Sequence, residues 1–146
     1  MTVVVDDHVL MACLALSEPA MARQARRRGR LFTSGLWYHR LCRALSRPGA
    51  TGRLSARLAG FPPAETGRLL GNCRYLPEAV RLVSLRELGW PMAEIVGEHR
   101  LNLMHLEALA AARLLDATIC VWEGDRSPQL EAAAETVGVA MVAVPL

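Results

Sequence analysis

The chain has 146 residues, 52% of them apolar and 21% charged, the proportions of one ordinary folded domain, so a disordered polyelectrolyte is excluded and no second domain is expected. No stretch reaches about eighteen apolar residues without a charge, which excludes a bilayer-spanning helix. All 17 basic residues are arginine, so a lysine Schiff base, a lysine general base and a phosphate-loop lysine are excluded as well.

The formal net charge of +3 conceals an asymmetry: residues 1–75 hold 12 arginines against 4 acids, and residues 76–146 hold 5 against 10. A basic half beside an acidic half suits a polyanion bound next to a carboxylate site. The chain opens with Val3-Val4-Val5, three β-branched residues that read as a strand buried on both faces, followed at once by Asp6-Asp7. Packing alone does not end a buried strand in two acids. Ligands of open parallel α/β sheets sit at the carboxyl ends of strands, so this pair is the first candidate for chemistry. Neighbouring residues of an extended chain point to opposite sides. Asp6 is therefore expected to face the site, while Asp7 either shares it or caps the helix starting near His8. Acids in place of a basic leader predict no secretory signal and a cytoplasmic protein.

From His8 to about Arg28 the apolar spacing is helical, with a break at Pro19. Five arginines crowd Arg23 to Arg30; Arg26, Arg27 and Arg28 are candidates for tracking a phosphate backbone, against the alternative of an ordinary solvated face. Gly29 is expected to end the helix. Arg30 to Ser34 reads as a second strand and Leu36 to Leu45 as a helix, stopped by Arg47-Pro48-Gly49. Residues 50–78 are least regular, with one or two short helices around Phe61-Pro62-Pro63. Ala79 to Leu85 alternates as a strand, and Leu88 to about Gly97 follows as a helix. Leu101 to Leu115 is apolar nearly all round, the mark of a helix buried on a sheet. Ala117 to Glu123 is a fourth strand ending in an acid, Gly124-Asp125-Arg126 a turn, Ser127-Pro128 the start of a helix to Val137, and Val139 to Val144 a last strand. Cys13, Cys42, Cys73 and Cys120 are too scattered for a zinc site and read as free thiols.

Strand and helix alternate throughout, so the expected fold is a single α/β domain, three layers with a central, mostly parallel sheet of four to five strands. If the first and fourth strands are neighbours, Asp6 and Asp125 or Glu123 converge on one crevice and can share a divalent cation.

The opening VVVDDH is similar to that of response-regulator receiver domains, but no Asp lies between Asp7 and Asp116 and there is no lysine; that phosphoryl chemistry lacks its parts. The stretch Asp6-Asp7-His8-Val9-Leu10 resembles instead the opening of the PIN-domain family, metal-dependent ribonucleases that include many toxins of bacterial toxin–antitoxin pairs. The helix His105 to Ala112, the strand Thr118 to Trp122, the acidic turn, Leu130-x-x-Ala133-Ala134 and Gly138-Val139 follow in that family's order. The resemblance implies one PIN-like domain over residues 1–146, a Mg²⁺ or Mn²⁺ cofactor, RNA as substrate, a small antitoxin-like protein partner and a homodimer.

It also implies four carboxylates, of which Asp6 and Asp125 are the expected metal ligands. The second falls on Arg40 and the third on His105, with Glu107 two residues on and roughly 200° round the helix. An arginine places positive charge where the cation would sit and can hold a phosphate directly; a histidine softens the ligand set. The catalytic candidates are thus Asp6, Asp125, Glu123 and His105, and the nucleic-acid candidates Arg26, Arg27, Arg28 and Arg40. The reading is of a nucleic-acid-binding domain with a weakened or altered metal-dependent endoribonuclease site, or else of an inactive scaffold working through protein association.

Overall fold

A computed structural model describes residues 1–47 and 52–146; Pro48 and Gly49, expected to stop the third helix, lie outside the described residues. The fold is a three-layer α/β/α domain built on one five-stranded, all-parallel sheet. Its strands are β1 (Thr2–Val5), β2 (Leu31–Thr33), β3 (Arg81–Leu82), β4 (Ala117–Trp122) and β5 (Met141–Val144), in spatial order β3-β2-β1-β4-β5. The helices are α1 (Asp7–Leu14), α2 (Ala20–Arg27), α3 (Gly35–Ser46), α4 (Arg53–Ala59), α5 (Pro63–Arg74), α6 (Leu85–Val96), α7 (Leu103–Leu114) and α8 (Pro128–Thr136).

Alternation along the strands sorts the core into two layers. Val4, Ile119 and Val121 face α6, α7 and α8, whereas Val3, Val5 and Cys120 face α1, α2, α4 and α5. Helix α3 crosses the end of the sheet and serves both, with Trp37 in the first layer and Leu41 in the second. The alanines of α7, Ala108 and Ala110 to Ala112, are fully buried, because a side chain of one carbon lets a helix lie close on β1 and β4.

Element boundaries differ from expectation where a side chain caps a helix. Asp6, not Asp7, is the N-cap of α1: its Oδ1 accepts the Val9 N–H at 2.7 Å. The third strand is cut from seven expected residues to two because the Ser84 hydroxyl accepts the Arg86 N–H and starts α6 early. Asn102 likewise starts α7, its Oδ1 accepting the His105 N–H at 2.8 Å. Pro19 separates α1 from α2, and Gly29 (φ 65°) closes α2 in the left-handed region that favours glycine. The four cysteines are free thiols.

Strand order reverses between β1 and β4: the chain runs outward from β1 through β2 to β3, then crosses to the far side for β4. The carboxyl ends of β1 and β4 therefore flank the topological switch point, the place where ligands of open parallel sheets bind.

Candidate functional site

Adjacent acids end β1, and their fates diverge because one still belongs to the strand and the other already belongs to the helix. Asp6 turns inward. Its Oδ1 caps α1 and its Oδ2 accepts the Trp122 N–H at 2.8 Å, so one carboxylate pins the ends of β1 and β4 together. Both oxygens are thus engaged by backbone, and burial pushes the carboxyl up to about 7 against those two hydrogen bonds. Asp7, the first residue of α1, is only 1% exposed and turns toward Arg40.

Around Asp7 gather side chains from three further elements. Arg40 of α3 lies between two carboxylates, Nε 3.0 Å from Asp7 Oδ2 and a terminal nitrogen 3.6 Å from Asp125 Oδ2. Asp125 ends the 3-10 turn Glu123–Asp125 that follows β4. Arg53 of α4 reaches the same carboxylate at 3.6 Å and also donates to the Gly124 carbonyl. Among the described residues none gives either oxygen of Asp7 a well-aligned hydrogen bond, despite the Arg40 contact. Burial accordingly outweighs the guanidinium, and the Asp7 carboxyl is raised to about 6.

His8 is fully buried beneath this group. Its ring stacks on Trp122 with centroids 4.6 Å apart, and the Arg57 guanidinium covers Trp122 from 4.8 Å. Arg57 also lies 2.9 Å from His8 Nδ1. A guanidinium can only donate, so Nδ1 accepts and the ring proton resides on Nε2. Nε2 faces Asp125 Oδ2 at 3.9 Å and has no hydrogen-bond partner among the described residues. Burial, reinforced by Arg57, lowers the imidazole to about 4, so His8 is neutral near pH 7.

One ligand atom each from Asp7, His8 and Asp125 lie within 4.8 Å of one another, the spacing of a three-ligand cation site. Two features oppose a cation there. Arg40 already bridges the carboxylates, and His8 Nε2 carries a proton where a ligand needs a lone pair. The residues present do not fit the Mg²⁺ or Mn²⁺ that the PIN-like resemblance implies, since hard cations of that kind require several free oxygen ligands. What they can do is fix two carboxylates with guanidinium groups and turn the remaining N–H donors outward. Between α3 and α4 a cleft of about 210 Å³ is lined by Arg40, Arg43 and Arg53. Among the described residues no acid lines it, and Arg40 and Arg53 in its wall reach Asp125.

The remaining candidates from the sequence fall in different places. Glu123 is exposed and outside the cluster among the described residues. His105 lies half-buried at the start of α7, its Nδ1 3.2 Å from the Asn102 amide. Burial lowers its pKa, and Asp125 and Arg40 perturb it in opposite directions, which puts it at the rim of the site. Glu107 is buried elsewhere, accepting the Leu36 N–H at 2.8 Å as a cap for α3. The arginine run is split. Arg26 pairs with the buried Glu18, and Arg23 donates to the Glu18 carbonyl. Arg27 and Arg28 are exposed, but they stand just before β2, at the amino end of the sheet and opposite the carboxylates.

Arg43, Arg53, Arg57, His8 and Trp122 were not singled out as functional by sequence reasoning. The i, i+4 spacing of Arg53 and Arg57 in the least regular stretch was the one available signal. Compared with the models of known protein families and with curated protein sequences, the chain gives no match, so its likeness to PIN domains rests on the short motifs and the order of elements.

Proposed function

We propose that the chain is a PIN-like domain that binds the phosphate backbone of single-stranded RNA along α3 and α4, with arginine rather than a divalent cation facing the carboxylates. The observation that carries this reading is Arg40, 3.0 Å from Asp7 and 3.6 Å from Asp125, in the space a bridging metal would need. Guanidinium groups recognise phosphate oxygens by paired N–H donors, and Arg43 and Arg53 flank the cleft beside it. RNA as the polyanion follows from the PIN-like opening and element order, and metal-dependent cleavage is expected to be absent or strongly reduced.

Fluorescence anisotropy with a labelled single-stranded RNA tests this. Affinity should be the same in EDTA as in Mn²⁺, and Arg43→Gln with Arg53→Gln should weaken it and flatten its salt dependence by roughly 0.7 per lost contact. Binding that requires Mn²⁺, or that ignores both substitutions, defeats the proposal.

A second reading, association through protein surfaces, is favoured by α6, which turns Leu85, Trp90 and Val96 to solvent, Trp90 being 76% exposed. It predicts a concentration-independent dimer in sedimentation equilibrium that Trp90→Glu dissociates. A monomer at all concentrations removes the homodimer.

A further inference from the structure

Away from the carboxylates, α3 and α5 bring two thiols together. Cys42 and Cys73 are 31 residues apart in the chain, yet their sulfurs lie 3.4 Å from one another. The contact is held from two sides. Tyr38, one turn before Cys42 on α3, donates its hydroxyl to the Cys73 carbonyl at 2.6 Å, and Leu41 and Leu69 pack in the same core layer as Cys73. The two thiols differ in access. Cys73 is buried, whereas Cys42 is half-buried and lines an open cleft with His39, Arg43, Ser46 and Arg47. A thiol that reaches solvent is open to an oxidant, and a buried thiol in contact with it is placed to resolve the product.

We propose that Cys42 and Cys73 are a peroxide-oxidisable dithiol that closes into a disulfide and clasps α3 to α5. The Cys42 thiolate attacks one peroxide oxygen, the O–O bond breaks, and the leaving hydroxide takes a proton to become water; Cys42 is then a sulfenic acid. The Cys73 sulfur attacks the Cys42 sulfur, the S–O bond breaks, and the departing hydroxide accepts the Cys73 proton as a second water. Two thiols are oxidised by two electrons, and one peroxide is reduced to two waters. The sulfurs must close from 3.4 Å to about 2.05 Å, a movement of the size a side-chain rotation supplies. Burial and the Cys42 contact push the Cys73 thiol up to about 12, so it stays protonated until its partner is oxidised. The remaining thiols, Cys13 and Cys120, are almost fully enclosed in the core and are held protonated by burial.

The clasp would enclose α4, the helix carrying Arg53 and Arg57, between its two ends. It does not depend on what the arginines bind.

The test is mild hydrogen peroxide on the folded, reduced chain, followed by thiol counting, intact mass and peptide mapping. The four free thiols should fall by two, the mass should drop by two hydrogens, and the cross-linked peptide should join Cys42 to Cys73. The oxidised chain should melt several degrees above the reduced one, as expected when a loop of this length is closed. Cys42→Ser should keep all its remaining thiols, and Cys73→Ala should stop at a Cys42 sulfenic acid trapped by dimedone. Oxygen addition to wild-type Cys42 without loss of Cys73, a cross-link between two copies, or a disulfide joining any other pair overturns the proposal.

Discussion

Asp6 and Asp7 show how far apart two adjacent carboxylates can be in role. Asp6 is a structural bracket, and removing it costs on two counts. Asp6→Ala loses the cap of α1 and leaves the Trp122 N–H without its acceptor, together about 2–4 kcal/mol in urea denaturation. Asp6→Asn keeps an oxygen for the cap but turns an amide N–H₂ toward the Trp122 N–H, so it should cost less, about 1–3 kcal/mol. Equal losses for the two variants would mean that the cap of α1 contributes nothing.

Asp7 behaves in the opposite way because no described residue hydrogen-bonds it well. Its carboxyl is raised from 3.8 to about 6, first by burial. As the pH rises from 3.8 toward 6 the unfolded chain releases this proton before the folded one does, so the native state loses stability across that window. Asp7→Asn removes the loss. It should stabilise the protein by about 1–3 kcal/mol at pH 8 and leave it unchanged near pH 4. His8 has the contrary sign: its pKa is lowered from 6.5 to about 4, so its contribution is complete above 6.5 and is lost as the pH falls toward 4. The difference in melting temperature between Asp7→Asn and wild type, taken at each pH, cancels the His8 effect. A destabilised variant at pH 8 would show that the Arg40 contact outweighs burial.

Among the elements, the turn after β4 and the start of α2 each carry a constraint that a single substitution can expose. Trp122 folds its ring over Gly124, where an added Cβ would sit 2.4 Å from two ring atoms. Gly124→Ala must therefore displace the ring from His8 and Arg57, with a loss of about 1–3 kcal/mol by overpacking. In α2 the arginines that look alike in the sequence are not alike. Arg26→Ala strands the buried Glu18, at a cost of about 3 kcal/mol, whereas Arg27→Gln and Arg28→Gln should change stability by less than about 0.5 kcal/mol. If all three substitutions are equally mild in thermal melts, the Glu18 pair does not hold α1 to α2.

For the molecule as a whole, the architecture was legible and the site only in part. Buried β-branched strands alternating with helices leave little choice but a parallel sheet, and acids closing the first and fourth strands pointed to the cluster that forms where β1 and β4 end side by side. Which of two neighbouring aspartates joins that cluster depends on the residue at which strand becomes helix, and a capping preference shared by both could not decide it. The arginine run was conspicuous as a sequence, but charge density along a chain carries no information about which end of a sheet it occupies. Arg53 and Arg57 were hidden for the opposite reason, lying in a stretch whose apolar spacing is too irregular to assign a face. Arg40 was the arginine expected beside the carboxylates, and it lies against Asp7 and Asp125.

That centre makes one claim above the others: a guanidinium does the work of a cation between Asp7 and Asp125. Mn²⁺ titration followed by electron paramagnetic resonance addresses it directly, because the signal of the free aquo ion is lost on binding. The wild-type chain should leave that signal intact at micromolar metal, and Arg40→Glu, which exchanges the guanidinium for a third carboxylate, should quench it in proportion to protein. Stoichiometric quenching by the wild type, lost in Asp7→Asn and in Asp125→Asn, would contradict the claim and restore a metal to the site.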